Sequence, residues 1–171
     1  STEARECFRK AIRLDVNQPG CFAGLIDQQN STAGRREELQ FIHAEMVRQV
    51  LNGATLHAYR GHAFRVLSRE ELLAELRVIH AARPDLWEAW SVLIDQLIDS
   101  GLQDEAMRLA QQSSQKFALL PGAWHDMAEV WRQCGKPDAA LQCARYIVTL
   151  NPDWPNGWCL LAQYLDEAGK H

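Results

Sequence analysis

Three stretches of the sequence share one pattern and decide the fold. They read WEAWSVLIDQLIDSG (87–101), PGAWHDMAEVWRQCG (121–135) and PNGWCLLAQYLDEAG (155–169). Each has Trp at its fourth position and Gly at its fifteenth, so both residues recur every 34 positions without an insertion or a deletion. Between them the apolar residues follow one another at helical spacing. A repeat of this length, made of short helical segments, predicts a stacked array of helices.

The same period extends over the rest of the chain. The residues 34 and 68 positions before Trp90 are Leu56 and Phe22, both apolar. Turn signals interrupt the helical pattern at short and fairly even intervals. No stretch keeps the alternation of apolar and polar residues that is typical of a β-strand. We therefore predict about ten short helices and no strands.

These residues resemble the tetratricopeptide repeat (TPR) family, whose pattern runs from a Trp through Leu, small and aromatic sites to Ala and Pro. One unit reads Trp124, Met127, Ala128, Trp131, Ala140, Ala144 and Pro152. The resemblance implies an all-α fold. It is an α-solenoid of antiparallel helix pairs, wound into a right-handed superhelix.

This register makes the 171 residues one solenoid that is cut out of phase. Residues 1–18 read as the second helix of a truncated repeat, and residues 155–171 as the first helix of another. The four repeats between them are 19–52, 53–86, 87–120 and 121–154. The chain opens and closes close to helical patterns, so we expect it to be a piece of a longer protein.

Two repeats depart from the pattern. Glu38 and Leu72 stand where the later repeats have alanine, and Leu67 replaces the turn glycine. We expect these repeats to pack less regularly. The sequence predicts a longer helix over Arg35–Leu51 and a lengthened turn over Asn30–Gly34.

Composition excludes several classes of protein. The chain is 47% apolar and 23% charged, which is typical of soluble globular proteins and unlike disordered or collagen-like chains. Its net charge of −4, without a basic stripe, argues against nucleic acid as a partner. No apolar run approaches the ~20 residues of a membrane span. Five scattered cysteines lack the spacing of a disulfide framework or a zinc site, which favours a cytoplasmic location.

We find no motif that carries catalysis, a metal ion or a cofactor. The glycine-rich nucleotide motifs, the metalloprotease motif and the hydrolase nucleophile motif are all absent from the sequence. Neighbouring carboxylates such as Glu70 and Glu71 point in different directions on a helix, so they do not form an acid–base pair. We expect the chain itself to be non-catalytic, with no cofactor and no metal.

The resemblance also implies that the first helix of each pair lines the concave face of the solenoid. If the residues at the Trp site point inward, those one, five, eight and nine positions later, with some two positions later, form an exposed row. We call this the first-helix row. Its predicted partner-binding residues are Asp27, His57, Phe64, Arg65, Asp95, Ile98, Asp99, His125, Asp126, Glu129, Arg132 and Asp166.

The first-helix row is net acidic, because its carboxylates outnumber Arg65 and Arg132 and histidine is mostly neutral at pH 7. Some TPR proteins hold a peptide's terminal carboxylate in a clamp of Lys, Asn and Arg, which this row lacks. We predict a basic or amphipathic protein segment as the ligand. The alternative is that the row is only a solvated face. Phe64 and Ile98, one repeat apart, either floor an apolar pocket or pack against neighbouring helices.

The leading prediction is a protein–protein interaction module or scaffold that binds a protein or peptide on its concave face. Two alternatives remain open. One is the substrate-recruiting region of a larger enzyme such as a glycosyltransferase, and the other is a scaffold of an envelope secretion or polysaccharide-export system. The exposed ends are also candidates for self-association.

Overall fold

The computed structural model describes residues 2–49, 51 and 53–169, which form ten α-helices and no strands. This confirms the predicted all-α class. The helices are α1 (Thr2–Leu14), α2 (Pro19–Asp27), α3 (Thr32–Arg48), α4 (Gly53–Ala63), α5 (Arg69–Ala82), α6 (Trp87–Asp99), α7 (Gln103–Lys116), α8 (Pro121–Gln133), α9 (Pro137–Leu150) and α10 (Pro155–Glu167). Three to five residues connect successive helices. Connections this short place packed neighbours antiparallel.

Backbone contacts divide the chain into an N-terminal unit, Ser1–Val92, and a C-terminal unit, Leu93–His171. In the N-terminal unit α2 packs against α1, α3 and α4, and α3 also packs against α5. In the C-terminal unit α8 packs against α7 and α9, and α9 packs against α10. The division into repeats of equal length stays a prediction.

Glycine follows the ends of α6, α8 and α10. Gly101, Gly135 and Gly169 have φ angles of 73°, 69° and 65°, in the left-handed region that glycine enters without a steric penalty. Beyond the first of them, the Leu102 amide donates a hydrogen bond to the Leu97 carbonyl at 2.9 Å. This bond reaches back five residues and satisfies a carbonyl that the helix end leaves open.

Proline and aspartate begin the later helices. Pro121, Pro137 and Pro155 are the first residues of α8, α9 and α10, where no helical partner exists for an N–H. Asp104 and Asp138 lie in the first turns of α7 and α9, where a carboxylate faces the positive end of the helix dipole.

Helix α4 ends at Ala63, whereas the equivalent helix one repeat later, α6, continues to Asp99. The site of the turn glycine holds Leu67, and no described residue other than glycine has a positive φ. The chain therefore leaves α4 by another route, in which the Leu67 amide donates to the Ala63 carbonyl at 2.8 Å. As a consequence, Phe64 and Arg65 lie in a turn and not on the helix that the sequence pattern predicts.

Helix α3 also differs from its prediction. The sequence predicts a helix over Arg35–Leu51 after a lengthened turn at Asn30–Gly34, but α3 spans Thr32–Arg48. The reason is an N-cap, because the Ser31 hydroxyl accepts a hydrogen bond from the Gly34 amide at 3.0 Å. Helix formation therefore begins three residues earlier than predicted.

The two units fill equivalent packing positions with residues of different size. In the C-terminal unit Ala106 and Ala140 are 0% and 1% exposed, and such small side chains let neighbouring helices approach closely. Leu72 and Glu38 hold the equivalent positions in the N-terminal unit, and both are 0% exposed. A fully buried carboxylate needs compensating charge.

Two arginines of α1 compensate the buried Glu38. Arg5 Nε lies 2.5 Å from one Glu38 carboxylate oxygen, and Arg9 Nε lies 2.9 Å from the other. Both guanidinium groups also contact the exposed Glu37 at 2.9 Å. The hydrogen bond to Glu38 raises the pKa of Arg5. A charge cluster thus ties α1 to α3 at the point where the repeat pattern would place an alanine.

A second set of charges joins α3 to α5. The Arg36 guanidinium donates to both carboxylate oxygens of Glu71, at 2.6 and 2.9 Å, and His43 Nδ1 contacts the Glu75 carboxylate. Glu71 also forms a capping box with Ser68 at the start of α5. Arg36 and the Ser68 amide lower the pKa of Glu71 to about 2. Glu71 is therefore ionised throughout the ordinary pH range.

Candidate functional site

Each unit carries part of the first-helix row. The N-terminal unit contains Asp27, His57, Phe64 and Arg65, and the C-terminal unit contains Asp95, Ile98, Asp99, His125, Asp126, Glu129, Arg132 and Asp166. Most of the polar members are exposed, so a partner can reach them from solvent. The exposed ones are Asp27, His57, Arg65, Asp99, His125 and Asp166.

Helix α8 brings two predicted residues into direct contact. Arg132 donates to both carboxylate oxygens of Glu129, at 3.0 and 2.5 Å, and the Gln133 amide donates to the same carboxylate at 3.1 Å. The hydrogen bond from Arg132 lowers the pKa of Glu129. The positive charge of Arg132 is therefore already matched within its own helix.

Helix α10 adds further acidic groups beside this pair. The pKa of Arg132 is raised first by its hydrogen bond to Glu129, and the charge of Glu167 adds to that rise. Gln163 donates to the Glu167 carboxylate at 3.1 Å. Tyr164, 2% exposed, lies among them, and burial raises the pKa of its hydroxyl. We call Glu129, Arg132, Gln133, Gln163, Tyr164 and Glu167 the α8–α10 cluster.

The N-terminal unit brings together Asp27 and Arg65, but only loosely. Their closest charged atoms are 3.8 Å apart, and the two side chains are 52% and 64% exposed. Exposed ion pairs of this kind stabilise a protein little. Together with His62 they border a cavity of about 30 Å³, which has room for roughly one water molecule. Burial lowers the pKa of His62. This cluster is too small to enclose a ligand.

The remaining predicted residues differ in their access to solvent. Asp126 is 6% exposed, so its carboxylate is not presented to a partner as the sequence pattern predicts. Its position, two residues after the Trp site, faces inward on α8. Phe64 is 51% exposed in the turn after α4. Asp95 and Ile98 are half-buried on α6. The pocket predicted between Phe64 and Ile98 stays a prediction.

No protein-family model matches the chain, and a comparison with curated proteins found no match. Solved structures do match over nearly the whole chain. TTC0263, a thermophilic TPR protein of Thermus thermophilus, has a TM-score of 0.64 at 16% identity, covering 94% of this chain and 88% of that one. YrrB, a TPR protein with an unusual peptide-binding site, has a TM-score of 0.57 at 14% identity, covering 97% and 83%. The chain has the TPR fold.

A third solved structure, the MamA protein, agrees with this assignment. Its TM-score is 0.56 at 12% identity, covering 89% of this chain and 83% of that chain. The TM-scores of these matches establish the fold, whereas sequence identities this low do not identify a ligand. The resemblance seen in the spacing of Trp and Gly is confirmed at the level of the fold.

One feature of this TPR-like chain escapes the sequence pattern: a groove between α3 and α5. A cavity of about 230 Å³ opens between them above Tyr59, which is 1% exposed. An open, mainly apolar depression of about 500 Å³ adjoins it along α3. Opposite charges about one repeat apart, such as Arg36 and Glu71, are the signal that could have indicated these helix contacts.

The described residues offer no assembled reactive centre. They contain no group of three or more His, Cys, Asp or Glu side chains that could hold a metal ion. All five cysteines are free thiols. Burial raises the pKa of Cys143 to about 11, which keeps it protonated and unreactive at neutral pH. In the same part of the chain, every helix is too short or too polar to cross a membrane.

Proposed function

We propose that the chain is a protein-interaction scaffold that binds a basic or amphipathic segment of a partner protein along its first-helix row. The α8–α10 cluster carries the proposal. There Glu129 and Glu167 both lie near one arginine, Arg132, so two carboxylates face a single cation. Because Glu129 already matches the charge of Arg132, the surface keeps an acidic excess. Such a surface attracts cations and repels acidic termini.

The shape of the site favours a protein segment over a small molecule. None of the cavities given above encloses a pocket at the α8–α10 cluster, and the residues of this cluster stand on two helices, α8 and α10. Packed helices lie about 8–10 Å apart, so an occupant must extend across more than one of them. YrrB, a TPR protein of similar fold with an unusual peptide-binding site, supports this choice.

We also propose that the chain does no chemistry itself, takes no cofactor and works in the cytoplasm. Its free thiols suit a reducing compartment.

A charge reversal tests the proposal. The probes are two fluorescein-labelled amphipathic peptides of equal length, one of Leu and Lys and one of Leu and Glu. We expect the native chain to prefer the Lys peptide, and Glu167→Lys to raise the Kd of that peptide about five- to tenfold at low salt. The effect shrinks at high salt because the charges are screened.

Asp153→Lys is the matched control, because it makes the same reversal at an exposed turn carboxylate outside the row. Fluorescence anisotropy gives both affinities. A native chain that prefers the Glu peptide, or a control that weakens binding as much as Glu167→Lys, contradicts the proposal.

A further inference from the structure

We propose that the groove between α3 and α5 is a second docking site, which accepts a short amphipathic helix of a partner protein with a Lys or Arg beside its apolar face. Gln40, Val47, Glu75 and Val78 mark its walls. None of the twelve residues predicted for the first-helix row lines it. The site is therefore separate from the surface proposed above.

The size of the groove favours side chains over a free cofactor. The cavity above Tyr59 measures about 230 Å³, below the roughly 300–1,000 Å³ of pockets that enclose a small-molecule ligand. Gln40 lines both this cavity and the open depression, so the two form one continuous surface. In the open part Val47 and Val78 are 38% and 55% exposed. An apolar side chain that covers them gains by leaving water.

The length and the walls of the groove favour a helix as the occupant. Its wall on α3 runs from Arg36 to Val47, about 16 Å at the helical rise of about 1.5 Å per residue. Apolar side chains at positions i, i+4 and i+7 of a docked helix span about 10 Å and fit within this length. Both walls are helices whose backbone groups are bonded internally, so they offer no edge to which a β-strand could pair.

The charge of the groove favours a basic residue on that helix. Arg36 and Glu71 neutralise each other through two hydrogen bonds. Glu75, whose side chain is 31% exposed beside His43, adds a second carboxylate to the groove, which holds a single arginine, Arg36, among the residues that line its two cavities. The charge of Glu75 also adds to the burial that raises the pKa of the Tyr59 hydroxyl beneath the cavity. A Lys or Arg side chain can lay its apolar stem in the cavity and place its cation at Glu75.

The experiment selects binders from a phage library of random peptides about four helical turns long. The library is first depleted on the Val78→Asp variant and then selected on the native chain, so that ligands of other surfaces are removed. We expect the surviving peptides to carry apolar residues at helical spacing and a Lys or Arg beside them. Their affinity should fall at least tenfold on Val78→Asp and about fivefold on Glu75→Gln.

Leu119→Asp is the matched control, since it places the same charge at an apolar side chain that is 82% exposed in the C-terminal unit. It should bind the selected peptides as the native chain does. Ala74→Trp fills the lip of the cavity without adding a charge and should also abolish binding. It guards against the case in which Val78→Asp fails to fold, which circular dichroism and urea melts reveal.

A depleted library that yields no binders overturns the inference, as do survivors that carry acidic residues or that bind Ala74→Trp normally. Glu167→Lys separates the two proposals. It should leave the affinity of the selected peptides unchanged while it weakens the Lys peptide of the first-helix row.

Discussion

The Glu38→Ala variant should lose about 2–4 kcal/mol in its free energy of unfolding, seen as a lower urea midpoint. Glu38 is 0% exposed and is the shared partner of Arg5 and Arg9. Its removal leaves two half-buried cations facing each other across a cavity. The loss lies toward the lower end for a broken buried ion pair, because both arginines keep some contact with solvent and with Glu37.

Glu37→Ala is the matched control for this prediction. Glu37 contacts the same two arginines, but its side chain is 59% exposed. When an exposed carboxylate is removed, water can solvate the arginines that it contacted. We therefore expect the urea midpoint of Glu37→Ala to differ little from that of the native chain. Equal losses for the two variants would show that burial is not what makes Glu38 important. Equilibrium melts followed by circular dichroism decide between the two outcomes.

The second large loss of stability is expected when Trp90, Trp124 or Trp158 is replaced. These residues occupy the same position in three successive repeats. In each, the indole N–H donates to the carbonyl six residues earlier, at 3.1, 2.8 and 2.7 Å. Their burial differs, since Trp90 is 8% and Trp158 is 52% exposed. Substitution by alanine should therefore cost about 3–5 kcal/mol at Trp90, less at Trp124 and about 1 kcal/mol at Trp158.

Ring contacts add to the contributions of Trp90 and Trp124. Trp90 packs edge-on against His80 at 4.4 Å, and Trp124 packs edge-on against Tyr146 at 4.5 Å. Hydrogen exchange resolves the effect by unit, because helix arrays open locally as well as globally. Equal losses at all three positions would contradict the idea that burial, and not the shared hydrogen bond, sets the contribution of each Trp.

The regular part of the fold could be predicted because it depends on local chemistry repeated in register. Gly101 and Gly135 take the left-handed conformation after the ends of α6 and α8, and Pro121 and Pro155 begin α8 and α10. Each of these residues acts within a few positions of itself. Because the repeat spacing is constant, the same residue types begin and end the helices in each of these repeats.

The irregular part could not be predicted because it depends on partners far apart in the sequence. Glu38 at an alanine site predicts irregular packing, but its compensation by Arg5 and Arg9 comes from another helix. The groove between α3 and α5 likewise requires Tyr59 of α4 as its floor. Spacing along one helix contains no information about such contacts.

The first-helix row also contains residues whose placement the spacing predicts and residues whose placement it does not. The spacing predicts Glu129 and Arg132 on one face of α8, and the structure places them in a hydrogen-bonded pair. Asp126 is only 6% exposed, and Val92, the equivalent residue one repeat earlier, is 0% exposed, so this position is buried by packing that the spacing along one helix does not predict. Phe64 and Arg65 leave the predicted helix because Leu67 cannot end it as glycine does.

The most direct measurement of the central claim is an NMR titration of the ¹⁵N-labelled chain with the Leu/Lys peptide. An acidic first-helix row that binds a basic segment predicts amide shift changes between His125 and Gln133 on α8 and between Cys159 and Glu167 on α10. Changes confined to exposed residues of α9, such as Gln142 and Arg145, or no changes at saturating peptide, would contradict it.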